Sequence, residues 1–425
     1  MNLIDDLDAR GLIHDTTDRS ALAARLADGP ITFYYGCDPS ADSLHAGNLI
    51  GLLTARRFQL AGHKPIMLAG GATGMIGDPS GRSDERKLLD DDALANNLSF
   101  IVPQLEQFVD FGSRPNGAKL VDNRAWTVGV SILDFLRDIG KHVTVNQMLA
   151  KESVKARLRG DGLSYTEFSY MLLQAYDYLW LAENEGCDLQ IGGSDQWGNI
   201  VLGADLIRRK LQRRVHALTW PLLTKRDGTK YGKTAGGETM WLGAHRLSPY
   251  GFYQGWIGAD DHDLRKLLLQ LTFMSVADVD DTLEAHNRNP GDRLGQRTLA
   301  HELCVLVHGQ AAAKGAAEAS GLLFGGGDVT SASAEAFEQL AAELPTTLVD
   351  GTGGAVLDIL VQAGLASSRS DAKRAMGEGS IYVDGERVSD LDAELGATPL
   401  AGGHHLLRRG KKKWHLIRKA DSNRF

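Results

Sequence analysis

The chain has 425 residues, 43% hydrophobic and 24% charged, with a formal net charge of −8. That describes a water-soluble folded protein of two or three domains whose core needs no covalent staples, and it argues against an overall basic coat for nucleic acid. No run of 18 apolar residues exists, the acidic start "MNLIDDLDARGLI" fits neither a signal nor a transit peptide, and the distant Cys37, Cys187 and Cys304 have no metal spacing, so a reducing cytoplasm is expected.

In chain order, "PITFYYGCD" (30–38) is a β-rich run. The segment from Leu44 that follows has helical apolar spacing, and "KPIMLAGG" (64–71) is a second buried strand. This βαβ unit predicts parallel sheet. "AKLVDN" (118–123) and "CDLQIGG" (187–193) are further short strands, each followed by helical pattern. Residues 1–225 therefore read as an open, Rossmann-like α/β sheet with helices on both faces. From Ser248 to about Phe324 the text is helical. "GGGDVTSAS" (325–333) and "DGTGG" (350–354) are Gly-rich punctuation around one more helix, and a small domain of roughly 70 residues follows.

Open parallel sheets bind ligands at the carboxyl ends of their strands. Asp38, Asp78, Asp122–Asn123 and Asp195–Gln196 follow four different strands. Any one of them is an ordinary helix cap; four together, two beside Gly-rich loops, point to a site. In "TEFSYMLLQAYDYLWL" (166–181), Tyr170, Gln174 and Asp177 lie at i, i+4 and i+7, on one face of an otherwise apolar helix. They read either as an internal hydrogen-bond network or as the wall of a pocket for a small polar molecule with an apolar body. His45 and Asn48 open the first helix, where phosphate is favoured.

"DGTKYGKT" (227–234) resembles a P-loop but has three residues, not four, between Gly228 and Gly232-Lys233-Thr234, and Gly236-Gly237 interrupts any following helix. It reads as a Gly-bounded loop able to bring Lys230 and Lys233 to phosphate oxygens, or as a solvated basic loop. Two basic stretches, "DLIRRKLQRR" (205–214) and "RRGKKKWHLIRK" (408–419), suit a polyanion touched at a few places. In the C-terminal stretch Trp414, Leu416 and Ile417 are interleaved with the charges, which argues for a packed element over a solvated end.

Together these motifs resemble the class I aminoacyl-tRNA synthetases, specifically the bacterial tyrosyl family. The resemblance rests on "YYGCDPSADSLHAGN" (34–48), "GGATGMIGDPSGR" (70–82), "EFSYMLLQAYD" (167–177), "QIGGSDQWGNI" (190–200) and "KYGKT" (230–234). It extends to 356–390, which is similar to a small RNA-binding fold named after a ribosomal small-subunit protein. It implies a Rossmann-like catalytic domain over 1–225 with inserted dimer-interface helices at about 125–185, a phosphate loop and linker at 226–247, a helical anticodon-side domain at 248–330, a linker at 331–354 and an RNA-binding domain at 355–425.

By that resemblance, Tyr34 and Asp177 would hold a substrate phenol, and Asp78, Tyr170 and Gln174 its ammonium. Gly36, Asp38, Ser40, Gly47, Gly193, Asp195 and Gln196 would line the ATP and adenylate site. His45, Asn48, Lys230, Lys233 and Thr234 would act on the phosphates, with Arg82 and Arg86 as basic helpers. Arg208, Arg209, Arg369, Lys373, Arg374, Lys411 and Lys412 would be the tRNA contacts. The expected substrates are L-tyrosine, ATP and tRNA(Tyr), in a homodimer whose interface includes 132–149. Mg²⁺ would enter with ATP, without protein ligands or an organic cofactor. Tyr35 and Gly51 stand where some relatives have Cys and Thr near the ribose. Tryptophan activation is the nearest rival reading. A P-loop NTPase fails on spacing, and a non-catalytic RNA-binding relative is disfavoured by the intact phosphate motifs.

Overall fold

The structure, a computed structural model, describes all residues except 1, 81–88, 160–161, 226–227, 230, 233–236, 326, 350–353 and 420–425. The chain divides into two compact units. The first holds residues 1–246 and Asp260–Asn289, the second Leu247–Ala259 and 290–425.

The first unit is built on a six-stranded sheet: β1 (Asp15–Thr16), β2 (Thr32–Cys37), β3 (Lys64–Ala69), β4 (Lys119–Asp122), β5 (Cys187–Gly193) and β6 (His216–Trp220). The spatial order is β1-β6-β5-β2-β3-β4, parallel throughout except for the short antiparallel edge β1. The four strands expected from sequence are present; β6 and β1 are additions. β2 is central. The chain winds from it through β3 to β4 on one side and returns through β5 to β6 on the other. The strand order thus reverses between β2 and β5, which opens a crevice at their carboxyl ends.

Two helices set that crevice. Ala46–Leu60 crosses from β2 to β3, its apolar positions buried on the sheet. Tyr165–Asn184, started by the Ser164 cap on the Glu167 amide (3.2 Å), runs beside Trp197–Leu211. The two helices approach closely because Gly203 has no side chain. A Cβ there would lie 3.1 Å from Tyr178 and 3.4 Å from the Ala175 backbone. Tyr178 is fully buried, and its hydroxyl donates to the His216 carbonyl at 2.7 Å, tying this helix to β6.

The helical stretch expected as one domain over 248–330 is divided. Leu264–Leu271 and Val276–Arg288 belong to the first unit, where the Arg10 and Gln270 side chains donate to the carbonyls of Leu269 (3.2 Å) and Gly11 (2.9 Å). Pro249–Ile257, Leu294–His308 and Gln310–Phe324 belong to the second. The stretch read as a linker, 331–354, is also structured. It holds the helix Ala334–Glu343 and strand β7 (Thr346–Val349).

β7 joins β8 (Ile381–Val383), β9 (Glu386–Arg387), β10 (His404–Arg409) and β11 (Lys413–Lys419) in the order β7-β11-β10-β8-β9. The helices Val356–Gln362 and Arg369–Gly377 share a core with Leu407 and Ile417. The basic tail is therefore a strand, with Leu416 and Ile417 fully buried and Trp414 half-buried.

Gly203→Leu should force the two packed helices apart. It is expected to cost about 1–3 kcal/mol of stability, read as a lower urea midpoint; an unchanged midpoint would show that the close approach is not required.

Candidate active site at the strand switch point

A cavity of about 840 Å³ opens over the carboxyl ends of β2 and β5. Tyr34, Asp78, Tyr170, Gln174 and Asp177 all line it, as do Gly36, Asp38, Ser40, His45, Gly47, Asn48, Gly193, Asp195 and Gln196. The residues expected for tyrosine and for ATP thus meet in one cavity. Arg82, Arg86, Lys230, Lys233 and Thr234 lie outside the described residues.

Tyr170, Gln174 and Asp177 share the helix face read from their spacing. Asp177 is 2% exposed, with one carboxylate oxygen accepting from Trp126 Nε1 (2.8 Å) and the other from Asn123 Nδ2 (2.9 Å). Burial pushes its carboxyl up to about 7, against the pull of those two donors; the negative neighbours Asp38 and Asp122 add to the rise. Tyr34 is 1% exposed, and its hydroxyl has no hydrogen-bond partner among the described residues. Burial first, then the Asp177 charge, raises its phenol well above the usual range, so it stays a neutral O–H. A buried hydroxyl without a partner, beside a buried carboxylate, is a site prepared for a third polar group.

Around this pair the other groups hold one another. Asp38 accepts from Thr73 Oγ1 and from the Tyr170 hydroxyl, both at 2.7 Å. Asp78 accepts from Gln196 Nε2 (2.5 Å) and from the Ser80 amide (2.9 Å). Asn199 Nδ2 donates to Gln174 Oε1 (3.1 Å) and Gln196 Oε1 (3.2 Å). Asp122, one of the strand-end carboxylates, does not line the cavity. It accepts from the amides of Gly71 (3.2 Å) and Arg124 (2.8 Å), a support for the loop after β3. Thr73, Trp126 and Asn199 are not among the residues expected from sequence, and Asn123 is expected there only as a strand-end amide. Asn123 and Trp126 reach Asp177 across more than 50 residues of chain, a distance at which no local pattern signals a partner.

At the other end of the cavity His45 caps the Ala46–Leu60 helix. Its Nδ1 accepts from the Gly47 amide and Asn48 Oδ1 accepts from the His45 amide, both at 3.0 Å. An accepting Nδ1 makes Nε2 the protonated nitrogen of the neutral ring, so both His45 and Asn48 present N–H groups at a helix N-terminus. The base of "DGTKYGKT" is fastened to this same turn. The Ala46 amide donates to the Met240 carbonyl and the Leu242 amide to the Leu44 carbonyl, each at 2.8 Å. Thr229, Tyr231 and Gly232 line the cavity, and the Tyr231 hydroxyl donates to Asp263 at 2.6 Å. The segment 240–242, which follows the loop, is thus strapped to the start of the Ala46–Leu60 helix.

Among the described residues no group of three or more His, Cys, Asp or Glu is arranged to hold a metal ion, and no helix is long and apolar enough to cross a membrane. Of the expected tRNA contacts, Lys373, Lys411 and Lys412 are exposed. The arginines engage acids: Arg208 with Asp205 (3.1 Å), Arg369 with Asp358 (2.9 Å) and Arg374 with Asp371 (2.8 Å). Arg209 also donates to the His142 carbonyl and to Gln147 Oε1 (3.3 Å), bracing its own unit.

A family described as tRNA synthetases class I (W and Y) matches residues 26–325, and one described as the tyrosine–tRNA ligase SYY-like C-terminal domain matches 336–417. The chain is 49% identical to the tyrosine–tRNA ligase of Opitutus terrae over 98% of its own length and all of that protein's. It is 47% identical to that of Geobacillus stearothermophilus over 99% and 100%. Among solved structures, a C-terminally truncated mitochondrial tyrosyl-tRNA synthetase from Aspergillus nidulans is similar with a TM-score of 0.68 and 29% identity, covering 76% of this chain and 94% of that one. The cavity's polar pair and the His45 helix cap thus sit in a chain that matches these ligases over nearly its whole length, and the chain belongs to the tyrosyl family of the class I tRNA synthetases.

Proposed function

We propose that the cavity binds L-tyrosine with its phenol between Tyr34 and Asp177 and its ammonium toward Asp78, Tyr170 and Gln174, and ATP along Asp38, Gly193 and Asp195 with its phosphates at His45 and Asn48. The reaction is tyrosine activation followed by transfer to tRNA. The observation that carries the site reading is the partnerless Tyr34 hydroxyl beside Asp177. The substrate hydroxyl donates to the carboxylate and accepts from Tyr34. Phenylalanine would leave both groups buried and unpaired, at about 1–3 kcal/mol each.

In activation, a carboxylate oxygen of tyrosine attacks the α-phosphorus of ATP. The bond from that phosphorus to the bridging oxygen breaks, and the electron pair leaves with pyrophosphate. The nucleophile is already an anion, so no Ser or Cys triad is needed; the reaction needs alignment and positive charge on the departing phosphates. His45 Nε2–H and the Asn48 amide supply neutral donors at a helix N-terminus, and Lys230 and Lys233 supply positive charge. A loop lysine that engages only in the transition state raises kcat rather than tightening binding. The terminal ribose hydroxyl of tRNA then attacks the adenylate carbonyl, expelling AMP. Mg²⁺ would be held by the nucleotide and water and would supply neutralisation of phosphate charge; His45 and Asn48 are donor groups, not a carboxylate cage.

The protein acts in the cytoplasm as a homodimer. The segment 124–149 supports this, with Val128 72% exposed, Ile132 and Leu133 each 74%, and Val145 59%. So many large apolar side chains left exposed along one segment support an interface there. The exposed Lys411 and Lys412, at the turn between β10 and β11, are tRNA phosphate contacts.

Pyrophosphate exchange into ATP without tRNA tests the site. Tyrosine should support it about 100-fold or more better than phenylalanine, from two unpaired groups, and better than tryptophan; exchange without amino-acid preference would sink the reading. In the same assay KM for tyrosine should fall about five- to tenfold as pH rises from 6 to 8, because Asp177, with a pKa of about 7, accepts the phenol proton only when ionised. KM for ATP should stay level. The double variant Ile132→Asp/Leu133→Asp should sediment as a monomer where the parent sediments as a dimer. Lys411→Glu/Lys412→Glu should leave exchange intact and slow tRNA charging, with a shallower salt dependence than the parent; charging that matches the parent at every salt concentration would remove this turn from the tRNA surface.

A further inference from the structure

Asn199 lies in the first turn of the Trp197–Leu211 helix and is 3% exposed. Gly203 follows four residues on, so the two share a helix face. That face meets the Tyr165–Asn184 helix. Gly203 comes up against Ala175 and Tyr178, and Asn199 reaches Gln174 beside them. Gln174 lines the cavity, whereas Asn199 does not.

An amide nitrogen carries two hydrogens, and Asn199 Nδ2 has two acceptors, Gln174 Oε1 at 3.1 Å and Gln196 Oε1 at 3.2 Å. A glutamine amide can turn over about its last bond and exchange its oxygen for its nitrogen. Here such a turn would set N–H against N–H, so each oxygen is held on the Asn199 side. For Gln196 this directs Nε2 to Asp78, to which it donates at 2.5 Å. For Gln174 it fixes the place of the oxygen, which keeps a second lone pair. Tyr170 is one turn earlier on the helix of Gln174, and its hydroxyl hydrogen goes to Asp38 at 2.7 Å, so toward a ligand its oxygen accepts. Asp78, Tyr170 and Gln174 all line the cavity. They present a carboxylate, a phenol oxygen and an amide oxygen, and an ammonium group has three donors and no acceptor.

We propose that Asn199 is a positioning residue for the amino-acid end of the site: by giving both amide hydrogens to Gln174 and Gln196, it holds the set of acceptors that recognises the substrate ammonium. This rests on the assignment of Asp78, Tyr170 and Gln174 to that ammonium. Asn199 acts through the two glutamines. It places the Gln174 oxygen directly and the Asp78 carboxylate by way of Gln196. Without it both amides are free to turn, and a turned Gln174 meets the ammonium donor to donor.

The test is pyrophosphate exchange with the full chain, inhibited by two analogues of tyrosine. Tyramine keeps the phenol and the ammonium; deaminotyrosine keeps the phenol and the carboxylate. Asn199→Ala should raise KM for tyrosine and Ki for tyramine about five- to tenfold for the lost hydrogen bonds, with Ki for deaminotyrosine and KM for ATP at parental values. Asn199→Thr cannot give two hydrogens and should show the same split; it decides the matter if the alanine variant does not fold. An equal rise for both analogues would mean a general disturbance of the pocket and would overturn the proposal, as would parental values for both. Asp78→Asn tests the assignment underneath: it should weaken tyramine and spare deaminotyrosine, and equal weakening would remove the ammonium from this place. That split in Asp78→Asn, beside an Asn199→Ala enzyme without it, would overturn the inference alone.

Discussion

A carboxylate in a protein interior persists as an anion only where donors replace its water, and Asp177 is the group around which this site is arranged. Trp126 and Asn123 each give one N–H to it. Asn123 also donates to Thr73 (3.0 Å), and Thr73 donates to Asp38. Asp177, Asn123, Thr73 and Asp38 are thereby one connected network that spans the ends of β2, β3 and β4 and the Tyr165–Asn184 helix. The two donors do not wholly offset burial, which leaves the carboxyl near 7 and open to a further donor. Tyr34 completes the demand with a hydroxyl that has no partner among the described residues. In the proposed function, selectivity for a phenol follows from leaving this pair incomplete, since a polar site rejects an apolar analogue more strongly than an apolar site rejects a polar one.

The His45 end of the cavity is organised differently. It relies on neutral N–H groups at a helix start, oriented by a reciprocal cap in which His45 and Asn48 hold each other's backbone. Two backbone hydrogen bonds join the segment 240–242 to residues 44–46 at the same turn. The start of one helix thus sets both these donors and the attachment point of the segment 240–242; Gly47 lines the cavity there, and Gly51 leaves room beneath the Tyr35 ring. Tyr35 occupies part of the room so created.

Much of this was legible in residue order. The spacing of Tyr170, Gln174 and Asp177 placed them on one helix face, and the cavity is lined by all three. β-Rich and short apolar runs, two of them ending in glycines, marked β2, β3, β4 and β5. The short β6, next to a basic stretch, and the two-residue β1 carry too little pattern to be read. The division of the helices between the two units was also not legible. Amphipathic spacing says that Leu264–Leu271 buries a face, not which neighbour covers it. The same applies to Asp122 and Asn123, adjacent at one strand end, where only the fold shows that one supports a loop and the other serves the buried carboxylate.

Local order therefore specified the elements, the helix cap and the chemistry brought to each strand end, because those depend on periods of two and 3.6 residues and on near neighbours. The tertiary structure alone decided which polar groups satisfy one another and which remain open. Asn123 and Trp126 on Asp177, Tyr35 on Gly51 and the strap at Ala46 and Met240 join residues that local pattern does not connect. Such pairings follow from how the sheet, helices and loops close around a shared space, and that closure is a property of volume and direction that no local spacing encodes.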